Sequence, residues 1–86
     1  MKLKDGFVLR EVAGDIVVIP SGDTLDLNMM ITLNETGCFL WNLLEKGAQQ
    51  SELVEALTGE YDVSAQDAEK HVEAFVAKLN ENGLLL

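Results

Sequence analysis

The chain has 86 residues, 48% of them hydrophobic, with six Lys and Arg against fifteen Asp and Glu for a formal charge of −9. That length holds one domain with a modest core. The charge speaks against nucleic acid and anionic membrane surfaces, both of which require basic side chains.

The first third reads as strands. Residues 7–12 and 15–20 flank Ala13-Gly14, the pattern of a hairpin with a short Gly-containing turn. Ile16 to Ile19 are apolar on both parities, as in a central strand covered on both faces. Pro20 to Thr24 collects Pro, Ser, Gly and Asp and reads as a loop. Strict alternation follows, with Leu27, Met29, Ile31 and Leu33 on one parity and Asp26, Asn28, Met30, Thr32 and Asn34 on the other. A third, half-buried strand is expected over residues 27–33.

Helices follow. Asn34 is placed to cap a helix over 35–46 that Gly47 stops, with Leu40, Leu43 and Leu44 as its core stripe and Gly37 one turn earlier. Ser51 is expected to cap a second helix, 51–60, carrying Leu53, Val54 and Leu57. After the tight connection Tyr61-Asp62-Val63, Ser64 and Asp67 mark the start of a third helix, 65–82. At about 100° per residue, Val72, Phe75, Val76 and Leu79 share its inward face with Ala68. His71, Ala74 and Lys78 border that face on one side, and Glu69, Glu73 and Asn80 on the other. Periodicity leaves open which border faces the third strand. Asn82-Gly83 ends the helix, and Leu84 to Leu86 is expected to trail off extended. The fold class is therefore α+β: a three-stranded antiparallel sheet, then three helices, winged helix-turn-helix-like and spanning 1–86 as a single domain.

Motifs for chemistry are missing. The lone Cys38 forms no internal disulfide, so the chain does not read as a secreted framework. One Cys and one His do not make a metal site, and no nucleophile–base pair or phosphate loop stands out. The acidic residues are scattered as on a solvated face. No apolar run spans a bilayer and the start does not resemble a signal peptide, so a cytoplasmic location is expected. Trp41 and Phe39 read as core aromatics, with a partly exposed Trp41 as the alternative, on an enzyme-docking surface.

Two stretches carry a family resemblance. Ile31-Thr32-Leu33-Asn34-Glu35-Thr36-Gly37, running on through Leu40-Trp41, and the later course Leu53 to Leu57, Tyr61-Asp62-Val63 and Asn82-Gly83-Leu84 resemble the PqqD family. The hairpin fits the same pattern, and the likeness covers nearly the whole chain.

The resemblance implies a peptide-binding module without catalytic activity and without a cofactor. Such a module holds the leader of a ribosomally made precursor peptide for a maturation enzyme, often a radical S-adenosylmethionine protein. The leader would add as a strand beside the third strand, next to the third helix. The expected contacts are Asn28, Met29, Met30, Ile31, Thr32 and Leu33, with Ala68, His71, Val72, Phe75 and Lys78 from the helix. Met29 reads as a core residue, and Met30 as the better contact.

An unfilled edge strand also invites a second copy, so strand-paired or domain-swapped homodimers are expected as an alternative. Two rivals fit less well. In a DNA-binding winged helix, the recognition helix would carry Asp67, Glu69, Glu73 and Glu81 against Lys70 and Lys78. An acyl carrier protein would need an Asp-Ser-Leu site, whereas Ser51 lies between Gln50 and Glu52.

Overall fold

The computed structural model describes residues 1–20 and 31–86. Strands β1 (Phe7–Val12), β2 (Asp15–Pro20) and β3 (Ile31–Leu33) form one antiparallel sheet in the order β1-β2-β3. Helices α1 (Glu35–Glu45), α2 (Gln50–Glu60) and α3 (Ala65–Glu81) follow. The expected strand at 27–33 is thus described over its last three residues, and 27–30 lie outside the described residues.

The hairpin turn fixes how the sheet is wired. Ala13 and Gly14 both have positive φ, 53° and 87°. That is the type I′ arrangement, whose twist matches the flanking strands. In such a two-residue loop the flanking pair, Val12 and Asp15, exchanges both backbone hydrogen bonds. Bonded and non-bonded pairs alternate from there, so Arg10–Val17 is bonded while Glu11–Ile16 and Leu9–Val18 are not. The backbone groups of Ile16 and Val18 therefore turn toward β3. Their partners there are Leu33 and Ile31, with Thr32 opposite Val17 between them.

Side chains follow the same alternation. Val18, Ile31 and Leu33 are buried against the helices, and Thr32 is exposed on the other face. The helices complete the core with Leu40, Trp41 and Leu44 of α1, Leu53 and Leu57 of α2, and Ala68, Val72 and Leu79 of α3. Each large apolar side chain so buried contributes about 1.5–3 kcal/mol. Trp41 is 1% exposed and its Nε1–H donates to Glu45 Oε1 at 2.8 Å, so it is a core residue and offers no docking surface.

The helix starts agree with the sequence at two ends and differ at one. Asn34 Oδ1 accepts from the Gly37 N–H at 2.8 Å, and Ser64 Oγ accepts from the Asp67 N–H at 3.1 Å. The second helix begins one residue earlier than expected, with Gln49 as its N-cap and Ser51 inside the first turn. The reason is Glu52, whose Oε1 accepts the Gln49 N–H at 3.0 Å and closes the turn there.

The C-terminal residues do not trail off. Leu84 is fully buried, and Leu85 forms an antiparallel bridge with Leu3. The Lys4 N–H donates to the Leu84 carbonyl at 2.8 Å, and the Leu86 N–H to the Lys2 carbonyl at 3.0 Å. Alternation in so short a run carries no pairing information, which is why the sequence concealed this contact.

Candidate functional site

Within the described sheet β3 has β2 on one side only, so it forms an edge. Ile31 and Leu33 exchange their bonds with β2, so Thr32 is the residue whose N–H and C=O point outward. An outward donor and acceptor on an exposed residue, with no partner among the described residues, are what an added strand needs.

Beside that edge lies a cavity of about 260 Å³ lined by Leu33, Asn34, Thr36, Gly37, Leu40, His71, Ala74, Phe75 and Lys78. Three elements meet there, and each contributes for a local reason. β3 runs directly into α1 through Asn34, so the first turn of α1 must border the end of the strand. Gly37 permits the close approach: a Cβ there would stand 3.4 Å from Leu33 Cβ and 3.1 Å from Asn34 Oδ1. Helix α3 lines the opening with His71, Ala74 and Lys78, all exposed, and with Phe75, half-buried between them. The border of α3 that faces β3 is therefore the His71 side, the question that helical periodicity left open.

The candidate residues divide accordingly. Thr32, Leu33, His71, Phe75 and Lys78 stand at the edge or the cavity. Ile31 is buried on the core face of the strand. Ala68 and Val72 are fully exposed to no solvent at all, each at 0%, so they pack the core behind the groove and do not line it. Asn28, Met29 and Met30 lie outside the described residues. Asn34, Gly37 and Leu40 line the cavity although they read from sequence as a cap and a core stripe, and Thr36, for which the sequence suggested no contact, joins them. The signal for them was the single-residue link between strand and helix.

A second opening sits round the corner of Leu33 and Asn34, lined also by Gly14, Asp15, Ile16, Glu35 and Cys38. Burial pushes the Cys38 thiol above its ordinary pKa, the direction opposite to that of an activated nucleophile. Among the described residues no group of three or more His, Cys, Asp or Glu is placed to hold a metal, and no helix is long and apolar enough to cross a membrane.

A three-stranded antiparallel sheet followed by three helices, with a helix-lined groove beside an edge of the described sheet, defines a small α+β domain of the winged-helix kind. The family of coenzyme PQQ synthesis protein D (PqqD) matches residues 6–85, and the chain belongs to that family. Two solved structures are similar over 99% of this chain. One is TbiB1 in complex with the TbiA(beta) leader peptide, with 28% identity, a TM-score of 0.77 and 94% of that chain covered. The other is lasso peptide synthetase B1 complexed with the leader peptide, with 26% identity, a TM-score of 0.76 and 95% of that chain covered. No curated protein matches the chain.

Proposed function

We propose that this chain is a non-catalytic recognition module that binds the leader of a ribosomally made precursor peptide by strand addition and presents it to a maturation enzyme. The observation that carries this reading is the outward N–H and C=O of Thr32, set beside a cavity walled by Leu33, Leu40 and Phe75. Membership of the PqqD family and the leader complexes of the two similar structures support it. The leader pairs with the backbone of residues 28–33, with His71, Phe75 and Lys78 closing over its inward side chains. Ala68 and Val72 hold α3 in position from behind. The maturation enzyme is a radical S-adenosylmethionine protein, and the complex is cytoplasmic.

NMR titration of the ¹⁵N-labelled protein with the leader of a precursor encoded beside its gene tests the site. Thr32, Leu33, His71, Ala74 and Lys78 are expected to shift. Shifts confined to α1 beyond its first turn and to α2, with these residues silent, would show that the groove is not the site.

A further inference from the structure

Strand addition by itself does not fix register, because backbone pairing is the same when the added strand slips by two residues. The charges around the groove supply what the backbone does not. Among the described residues no carboxylate lines the cavity beside Phe75, and the basic side chains there are His71 and Lys78. The neighbouring opening, past Leu33 and Asn34, is instead lined by Asp15 and Glu35. The molecule as a whole carries −9. A peptide carboxylate is therefore repelled by the surface at large and by the Asp15–Glu35 end, and attracted at the α3 wall.

Resting on the strand-addition reading, we propose that the groove selects an apolar residue followed or preceded, two positions away, by Asp or Glu, and that Lys78 is the specificity-determining contact. The peptide residue opposite Leu33 shares its face and so turns its side chain toward the helices, into the space between Leu40 and Phe75. Its same-face neighbours stand two residues away, about 6.8 Å along the strand. His71 and Lys78 are separated by seven residues of helix, about 10.5 Å along α3, with Phe75 between them. A strand laid along α3 with its anchor at Phe75 thus brings a carboxylate two residues on within reach of the Lys78 ammonium. The ion pair locks the register that the backbone leaves free, and His71 supplies a second donor at the other end of the same wall.

The test begins with a displayed library of random dodecapeptides panned against the intact chain. Selected peptides are expected to be enriched for Asp or Glu two positions from an aliphatic or aromatic residue. For one synthetic representative, changing that acid to its amide is expected to weaken binding about three- to fivefold, the range of a partly exposed ion pair. Lys78→Glu is expected to weaken it similarly, and a peptide with Lys in place of the acid to restore binding to Lys78→Glu. Both losses should shrink in about 0.5 M NaCl, where such pairs are screened. Restoration by charge exchange separates a contact from a merely structural role. If the representative shifts Leu33 and α3 in NMR but the amide peptide binds equally well, the carboxylate rule is wrong while the groove stands. If no selected peptide shifts Thr32, Leu33 or α3, strand addition fails and the rule falls with it.

Discussion

The sheet has two edges among the described residues, and they are not equivalent. β1 and β3 each turn backbone donors and acceptors away from β2, since the alternation set by the Ala13-Gly14 turn leaves Glu11 and Leu9 outward on one side and Thr32 on the other. In backbone terms both are open. The surroundings differ. Arg10, Glu11 and Val12 of β1 are exposed, and the charged pair makes a poor template for another strand. The β3 edge adjoins a cavity whose walls come from α1 and α3. An open edge offers affinity to any extended chain, whereas an edge with a pocket beside it can choose among them.

The comparison breaks if binding merely follows the stability of the domain. Leu57→Ala removes a fully buried side chain of α2 that lines neither opening. It is expected to cost about 2–5 kcal/mol of stability by urea denaturation. Leader affinity of the fraction that stays folded should be unchanged within about twofold; a larger change would tie the groove to the α2 core.

A direct contrast of the edges comes next. Thr32→Pro deletes the outward donor of β3 and is expected to weaken leader binding about tenfold or more, a loss of at least roughly 1.4 kcal/mol measured by calorimetry. Glu11→Pro makes the same deletion on β1 and should leave affinity unaltered. Because both N–H groups point away from β2, neither change removes a ladder bond, and melting temperatures should move by only a few degrees. A collapse of the Thr32→Pro fold would mean that its N–H pairs inside the sheet and that the assigned alternation is inverted.

The smallest effect concerns the turn that sets this alternation. Ala13 holds φ at 53°, where a Cβ is strained and Asn is tolerated. Ala13→Asn is expected to stabilise the domain by about 0.5 kcal/mol in thermal or urea denaturation, with the peptide-induced NMR shifts unmoved. A changed shift pattern would show that the turn can alter the register of the sheet.

How much of this was legible depends on what each signal encodes. Strand parity placed Ile31 and Leu33 inside and Thr32 outside, because the two-residue period of a strand is itself the burial pattern. The inward face of α3 was legible in the same way from Val72 and Leu79. Ala68 and Val72 were nevertheless expected at the groove, because periodicity marks a face as apolar without saying whether peptide or core covers it. The choice between the His71 and Glu73 borders needed the placement of α3 beside Leu33 and the first turn of α1, a property of tertiary packing. Helix α2 misled for a different reason: Ser51 is the better capping residue by type, but the Glu52 carboxylate bonds to the Gln49 N–H and sets the start upstream. The pairing of Leu3 with Leu85 joins residues too far apart in sequence for any local pattern to report.

Trp41 gives the domain a built-in optical gauge. It is the sole tryptophan, 1% exposed, with its indole N–H held by Glu45, next in sequence to the groove residue Leu40. An indole so enclosed emits at short wavelength and is sheltered from iodide or acrylamide in the surrounding water. The single tyrosine, Tyr61, stacks edge-on against Phe39 with ring centroids 5.5 Å apart, so both chromophores report from within the helical layer. Unlabelled protein thus signals the melting of its core through its own emission colour. A leader docking at the groove, one wall away, leaves that colour nearly fixed, so intrinsic fluorescence reads folding without interference from occupancy of the groove.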